Sequence, residues 1–213
     1  FYAVSDDGIG QELGRQLVEA CGGKARMEGE VAIVSGQSSA PNLQARVGGV
    51  KKFLSEADFP KLKFLPILYC DDDGAKSIEQ IRTTMQSHPK LRAIIMVGGW
   101  PLFLDGALDS VKDFKQTKVV SVDALPKQLD YVESGQVACL VAQKCFDWGY
   151  QSVMIMENLR TGKQTYPDFV DSGYDLVFKE PTQAQRDDAK TRKAGCFSLV
   201  EYRAQWDKWN AEM

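Results

Sequence analysis

The sequence predicts an α/β fold in which mainly parallel strands are flanked by helices. Short apolar runs alternate along the chain with stretches of helical periodicity, and four such runs end in a polar or glycine-rich turn: 31–34, 64–69, 93–97 and 119–122. Continuous apolar runs are typical of parallel strands that are buried on both faces. Strand–helix alternation with crossovers of this length predicts a mainly parallel sheet with helices on both faces. Because open parallel sheets bind ligands beyond the carboxyl ends of their strands, we expect a ligand cleft there.

The first third of the chain contains two predicted helices and one predicted strand. Apolar residues at every fourth position predict a helix over 8–22, which ends at a glycine pair. A strand over 30–35 precedes a helix over 41–57, and Pro41 suits the first turn of that helix. Gly48 and Gly49 each cost this helix about 1 kcal/mol relative to alanine. Close packing of the helix against the sheet is expected to offset that cost.

The middle of the chain continues the alternation. A strand over 62–69 is followed by a helix that carries Ile78, Ile81 and Met85 and ends before Pro89. A strand over 92–97 precedes a helix near 101–112, and another strand follows over 118–122. This region therefore adds three strands to the predicted sheet.

The last third is predicted to leave the regular alternation. A helical or turn segment over 124–134, a strand over 137–142, a long helix over 143–160 and a strand over 174–179 complete the organised part. From Glu180 the composition shifts to Gln, Asp, Lys and Arg, which is typical of an exposed linker. Residues 198–211 then predict a short helix that docks its aromatic side chains.

The bulk composition excludes several classes of protein. The chain has 213 residues, of which 44% are apolar and 26% charged, as in an ordinary globular protein. The net charge of −3 argues against a nucleic-acid partner, because phosphate-binding surfaces carry a basic excess. No run of about twenty apolar residues exists, so we expect no membrane span.

The cysteines and the histidine argue against metal sites and nucleophilic catalysis. The five cysteines show no metal-type spacing, and their odd number argues against a disulfide framework. His88 is the single histidine of the chain, which disfavours a His-based metal site or a Ser–His pair. Ser38 and Ser39 lack a base, so we expect no catalytic residue, no cofactor and no metal.

Several segments in fixed order resemble a known family. They are 1–7 with Gly10 and Gly14, 30–36 followed by 40–49, His88-Pro89, 119–123, 135–138, and Ala142-Gln143 opening a long helix. In their order and spacing the chain resembles the periplasmic sugar-binding proteins of ABC importers, of the ribose-binding type. Each segment alone is a weak motif, and together they span roughly residues 1–180.

The resemblance implies two α/β lobes that are joined by crossing strands and close on a sugar. Residues 1–6 would be a crossover strand, 7–122 the second lobe, 123–180 a return segment of the first lobe, and 181–213 a C-terminal tail. The family's first hundred or so residues have no counterpart here, so the first lobe is expected to be incomplete: either the chain is a fragment or the missing half lies elsewhere.

The resemblance also implies ligand contacts at the ends of the strands. Gln44 and Asn42 stand where the family uses a polar or Arg contact, and Asp72 stands in a turn that carries an aromatic or polar contact. The turn from Gly98 to Trp100 often supplies an Asn, and Trp100 could cover the apolar face of a pyranose. Asp123 matches the hinge aspartate that accepts hydrogen bonds from sugar hydroxyls, and Gln143 matches the glutamine at the last strand–helix junction.

Structural alternatives to these site assignments stay open. Asp71, Asp72 and Asp73 would also suit an acidic turn that caps the next helix, and Trp100 would suit an aromatic plug. Helix capping is the corresponding alternative for Asp123 and for Gln143, and a solvated helix position is the alternative for Gln44. Arg46 is expected to form a structural salt bridge. The acidic triplet lacks the later ligands of a calcium loop, so a metal is not expected there.

The leading hypothesis is a substrate-binding protein that binds a sugar or polyol for ABC-type import, without catalysis. The resemblance implies permease membrane subunits as partners, a periplasmic or extracytoplasmic location and a monomer. The alternative is the effector-binding domain of a sugar-responsive transcription regulator or membrane sensor, which uses the same fold. A third hypothesis is an enzymatic function in which 71–73 form a phosphoacceptor-type acidic pocket. The lysine that such a pocket needs after a late strand is missing from 119–123.

Overall fold

The computed structural model describes residues 1–212 and confirms the predicted α/β class. The strands are β1 Tyr2–Ala3, β2 Gly29–Ser35, β3 Leu62–Phe64, β4 Leu68–Tyr69, β5 Ala93–Met96, β6 Lys118–Val122, β7 Cys139–Gln143, β8 Val170–Asp171, β9 Tyr174–Phe178 and β10 Gly195–Ser198. The helices are α1 Asp6–Ala20, α2 Pro41–Phe53, α3 Gly74–Ser87, α4 Pro126–Glu133, α5 Cys145–Arg160, α6 Gln183–Thr191 and α7 Leu199–Glu212.

One large sheet organises the part of the chain that the structure describes. Its strands lie in the order β10-β9-β7-β6-β5-β2-β3, and β4 also pairs with β2. All of these pairs are parallel except β7 with β9, which is antiparallel. The short strands β1 and β8 form a separate parallel pair. The mainly parallel sheet is therefore confirmed.

Helices cover both faces of the large sheet and enclose two hydrophobic cores. One core packs α1 and α2 against alternate residues of the central strands, such as Val31, Ile33 and Ile95. The other packs α3, α4 and α7 against the intervening residues, such as Ala32 and Met96. Because successive side chains of a strand point to opposite faces, one continuous apolar run supplies both cores.

Helix α2 packs against the sheet as predicted, but its glycine Gly49 serves a contact with α1. A Cβ on Gly49 would lie 2.2 Å from the carbonyl oxygen of Asp7, and a Cβ on Gly10 would lie 2.0 Å from that of Arg46. The backbones of α1 and α2 therefore touch, and only glycine permits this approach. A Cβ on Gly48 would meet no atom within 4 Å, so Gly48 has no such role.

A buried carboxylate ties the C-terminal segment to α1. Glu12 is 2% exposed and accepts a hydrogen bond from the Tyr174 hydroxyl at 2.7 Å. It also accepts bonds from Gln16 Nε2 at 2.7 Å and from Arg192 Nη2 at 3.2 Å. A buried charge is tolerated only when it is paired and hydrogen-bonded, as it is here.

Three predicted elements differ from the structure. The run 62–69 forms two short strands, because Pro66 lacks the N–H that a continuous ladder needs. The helix expected near 101–112 is a 3₁₀ turn over Trp100–Phe103 followed by turns, one of which places Gly106 at a φ of 71°. The linker expected after Glu180 contains α6, which a Thr182–Gln185 capping box starts, and β10, which extends the sheet.

The predicted aromatic helix at the C-terminus is confirmed. Tyr202 of α7 is buried, and Trp206 and Trp209 pack against the second core. The indole N–H of Trp206 donates a hydrogen bond to the carbonyl oxygen of Ala124 at 2.8 Å, which joins α7 to the start of the α4 segment.

The division of the chain into lobes stays a prediction. Strands β7 and β9 belong to the segment that was expected to return to the first lobe, yet both lie in the large sheet. Helix α5, which lies between them in sequence, has no buried residue. None of the helices that the structure describes combines the length and the apolar character that a membrane span requires.

Candidate functional site

The four central strands end side by side at one edge of the sheet. Strands β2, β5, β6 and β7 are parallel neighbours in that order, so their carboxyl ends face the same way. A cavity of about 440 Å³ lies at this edge, and we call it the strand-end cavity. Its lining includes five of the predicted site residues: Asn42, Gly98, Trp100, Asp123 and Gln143. The structure therefore brings together side chains that are up to a hundred residues apart in sequence.

A chain of hydrogen bonds runs through the strand-end cavity. Arg46 Nη2 donates to Gln143 Oε1 at 2.8 Å, and Gln143 Nε2 donates to Asp123 Oδ1 at 2.6 Å. Both groups of the Gln143 amide are thus used, which fixes the orientation of this side chain. Asp123 Oδ2 accepts no hydrogen bond from the residues that the structure describes, so one carboxylate oxygen is left for a ligand.

Arg46 is held rigidly at the base of this chain. Its Nε donates to Asp6 Oδ1 at 2.8 Å, and its Nη1 donates to the carbonyl oxygen of Val97 at 3.0 Å. The predicted salt bridge is confirmed, although Arg46 is only 6% exposed and also lines the cavity. Of its five N–H groups, three bond to described residues, so two are left to donate to a ligand.

Helical spacing explains why Arg46 reaches the site. Asn42 follows Pro41 in the first turn of α2, and Arg46 comes four residues later on the same face. The sequence interpretation missed Arg46 as a site residue, although its spacing from Asn42 was a readable signal. Gln44 lies between them and points about 200° away, because each residue turns a helix by about 100°.

Gln44 and Asp72 lie outside the strand-end cavity. Gln44 Nε2 donates to the carbonyl oxygen of Ser38 at 2.7 Å, and the residue lines a separate cavity with Lys51 and Tyr69. Asp72 is exposed, and a Cβ on Gly36 would lie 1.8 Å from Asp72 Oδ1 and 2.9 Å from the Trp100 ring. Asp72 thus lies beside Gly36 and near the ring of Trp100, and its role as a ligand contact stays a prediction.

The turn at Asp123 has an unusual backbone. Asp123 has a φ of 70°, in the left-handed region that disfavours most side chains, and its N–H donates to Val141 at 3.0 Å. Strained residues of this kind are concentrated at functional sites. Helix capping is not its role, because α4 starts with the Leu125 N–H donating to Gln128 Oε1 at 3.0 Å. Gln143 likewise does not cap α5, since the N-cap residue of that helix is Lys144.

Trp100 forms a wall of the cavity and also packs against both cores. A Cβ on Gly98 would lie 2.2 Å from Cη2 of the Trp100 ring, so glycine at 98 lets the ring lie flat against the strand end. The ring is half-buried and contacts residues of both hydrophobic clusters. The two interpretations of Trp100, as a ligand-stacking ring and as a plug, are thus compatible.

The acidic turn at 71–73 acts as a helix start. Asp73 is the N-cap residue of α3, and its Oδ1 accepts from the Lys76 N–H at 2.7 Å. Asp71 forms an ion pair with Lys76 Nζ at 2.5 Å. Among residues 1–212 no cluster of His, Cys, Asp and Glu has the arrangement of a metal site.

Comparisons with known proteins agree with this architecture. A family model described as a periplasmic binding protein domain matches residues 1–164. No curated protein sequence matches the chain. Among solved structures, an ABC transporter solute-binding protein from Burkholderia graminis in complex with D-arabinose has a TM-score of 0.74 at 26% identity, over 84% of this chain and 61% of its own.

Two further solved structures share the fold at lower identity. A periplasmic solute-binding protein of an ABC transporter from Actinobacillus succinogenes with bound D-allose has a TM-score of 0.73 at 19% identity, over 88% of this chain and 62% of its own. A glucose-galactose binding protein from Geobacillus stearothermophilus has a TM-score of 0.74 at 20% identity, over 86% and 63%. The chain thus spans about three fifths of the length of these structures.

Proposed function

The chain belongs to the periplasmic binding protein family, and on this premise we propose that it binds a sugar or a sugar-like polyol in the strand-end cavity. The observation that carries the proposal is the Arg46–Gln143–Asp123 chain at the joined strand ends. Adjacent hydroxyl groups both donate and accept. A carboxylate oxygen that accepts and a guanidinium that donates, both held by the same Gln143 amide, match such a pair.

The remaining walls of the cavity support the same ligand class. Trp100 offers an aromatic face for the apolar side of a pyranose, and Asn42 adds an amide at the rim. The buried polar groups also provide selectivity, because an analogue without the matching hydroxyl leaves them unpaired.

We further propose that the protein serves ABC-type import from an extracytoplasmic compartment. In this proposal it delivers its ligand to permease membrane subunits, as the names of the solved relatives suggest. The import role is that of whole solute-binding proteins, and the chain spans about three fifths of the length of the solved one from Burkholderia graminis.

The shape of the chain favours a shorter return segment than the sequence predicted. We propose that residues 144–172, and not 123–180, leave the large sheet to meet a first lobe. Helix α5 has no buried residue, and its exposed apolar side chains include Tyr150, Val153, Met156 and Leu159. Strand β1 pairs with β8, which belongs to residues 144–172. The two places where we propose that the chain passes between the lobes therefore lie side by side.

A titration of the chain against monosaccharides tests the ligand class. We expect at least one pentose or hexose to raise the melting temperature and to release heat on binding in calorimetry. Asp123→Ala and Gln143→Ala should each weaken that binding by roughly 10- to 100-fold, because each leaves a charged or amide partner unpaired.

Gln44→Ala is the matched control for these two variants. Gln44 is an amide on α2 that lines a different cavity, so this variant should bind the sugar as the parent chain does. A panel in which no sugar binds, or equal losses in the Gln44 and Gln143 variants, would sink the proposal.

A further inference from the structure

A second cavity adjoins the strand-end cavity and is walled by aromatic side chains. It has a volume of about 370 Å³, and we call it the aromatic cavity. Its mainly apolar lining is Leu125, Cys145, Phe146, Tyr202, Trp206 and Trp209. Asp123 and Gln143 line both cavities, so this hydrogen-bonded pair borders each of them. Three of its aromatic walls lie on α7, beyond residue 164, where the family match ends.

The aromatic walls are fixed by contacts with one another and with the backbone. Phe146 stacks on Trp209 with ring centroids 5.6 Å apart, and Trp206 meets the same ring edge-on at 5.6 Å. Tyr202 packs edge-on against Trp209 at 6.0 Å, and the indole N–H of Trp206 is bonded to Ala124. The cavity is therefore already formed before a ligand enters, which lowers the cost of ordering its walls on binding.

The hydroxyl of Tyr202 is a polar group without a partner in this cavity. Tyr202 is 3% exposed and lines the cavity, and its hydroxyl makes no hydrogen bond with any residue from 1 to 212. The hydroxyl oxygen itself is not sealed in the core, so a ligand in the cavity can reach it. Burial and the nearby charges of Asp175 and Asp123 raise the pKa of Tyr202, so the hydroxyl keeps its proton and can donate.

We propose that the ligand is a glycoside whose sugar ring occupies the strand-end cavity and whose apolar, aromatic aglycone occupies the aromatic cavity. This inference rests on the proposed sugar-binding function. In this arrangement the glycosidic link passes beside the Asp123–Gln143 pair, which borders both cavities. The Tyr202 hydroxyl donates to a polar substituent of the aglycone. A volume of about 370 Å³ is within the range of small-molecule pockets and exceeds what one aromatic ring needs.

Paired glycosides test the inference with the full chain. Calorimetry compares the methyl and phenyl glycosides of arabinose, allose, glucose and galactose, the sugars named for the solved relatives. We expect the phenyl glycoside of the preferred sugar to bind at least about tenfold tighter than its methyl glycoside, since a buried ring removes apolar surface from water. The methyl glycosides alone report on the strand-end cavity.

Variants at the aromatic cavity test whether the tighter binding of the phenyl glycosides arises there. Cys145→Phe should fill the cavity and abolish the phenyl preference, because Cys145 lines the cavity at the start of α5. Val153→Ala removes an exposed apolar side chain from the same helix outside the cavity and should keep the preference.

Each outcome decides one of the two proposals. Equal binding of methyl and phenyl glycosides, or exclusion of the phenyl glycosides, would overturn the inference and leave the sugar-binding function standing. A phenyl preference that survives Cys145→Phe would also overturn it. If neither the free sugars nor either set of glycosides binds, the proposed function fails, and the inference fails with it.

Discussion

Helices α1 and α5 have nearly the same length, and both carry apolar residues, but these residues are buried in one helix and exposed in the other. Helix α1 buries Ile9, Leu13 and Leu17 completely between the large sheet and α2. Helix α5 buries none of its sixteen residues and exposes a row of apolar side chains. Periodic apolar residues therefore predict which face of a helix meets a partner, but not whether that partner is in the same chain.

The difference divides the molecule into a part that buries its own apolar side chains and a part, helix α5, that leaves them exposed. The large sheet and the helices on its two faces enclose both cores. Contiguous exposed apolar surface of the kind on α5 marks an interaction site in soluble proteins. Our proposal that residues 144–172 meet a first lobe assigns this surface to a structural contact. Three experiments compare matched positions in the two regions.

The largest difference is expected for the same substitution in each helix. Leu17 is 0% exposed and Leu159 is 52% exposed. Leu17→Ala should lower the free energy of unfolding by about 3 kcal/mol, through lost apolar burial and the cavity left behind. Leu159→Ala should change it by less than about 0.5 kcal/mol. Urea unfolding of both variants measures the two values, and similar losses would show that α5 is packed against the body of this chain.

A second comparison uses a helical glycine from each region. A Cβ on Gly49 would collide with the backbone of α1, whereas a Cβ on Gly149 would meet no atom within 4 Å. Gly49→Ala should therefore destabilise the chain by about 2 kcal/mol through overpacking. Gly149→Ala should stabilise α5 by up to about 1 kcal/mol, because alanine is the better helix former.

The outcome is measured as the shift in thermal and urea midpoints of the two variants. If Gly49→Ala left the stability unchanged, α1 and α2 would be able to move apart, and the close contact of their backbones would not be needed for the fold. Gly48→Ala is the control within α2, since its added methyl group meets open space.

The smallest difference concerns acid stability. The Arg186 guanidinium and the Ser198 N–H bond Glu201 and lower the pKa of this carboxyl group from 4.5 to about 2. Because the folded pKa is depressed, the stabilisation is present above the ordinary pKa and is lost as the pH falls toward 2. Glu201 is half exposed, so solvent screening limits the effect to less than about 1 kcal/mol.

Glu201→Gln should reduce the loss of stability between about pH 6 and about pH 3. Glu157→Gln is the matched control in α5, where Glu157 pairs only with Arg160 one turn away. A steeper pH dependence in the Glu201 variant, or an equal change in both variants, would contradict the assignment.

The order of the central strands β2, β5, β6 and β7 was readable from the sequence, because each of them contains an apolar run. Helix α6 was not predicted, because Gln183–Thr191 is almost entirely polar and has no apolar periodicity. The signal for its start is the Thr182–Gln185 capping box. The shape of β3 and β4 depends on Pro66, a single residue inside an otherwise regular run.

The candidate site was predictable where its residues follow strand ends directly. Asp123 follows β6 and Gln143 ends β7, and the sheet brings them together. Arg46 does not follow a strand, and its spacing from Asn42 in α2 was the signal in the sequence. The close contact of α2 with α1 through Gly10 and Gly49 joins distant parts of the chain, so local sequence patterns do not reveal it.

The bonds to Glu12 have a consequence for the synthesis of the protein. The Arg192 that bonds to this carboxylate lies 180 residues later. Helix α1 therefore leaves the ribosome long before this bond can form, with Arg15 of the same helix, 3.7 Å away, as the local cation. Contacts this distant in sequence form late in folding. We expect nascent chains that stop before residue 174 to be cleaved by proteases in α1, whereas chains that extend past Arg192 should resist cleavage there. Equal resistance at both lengths would show that α1 is secured without the C-terminal segment.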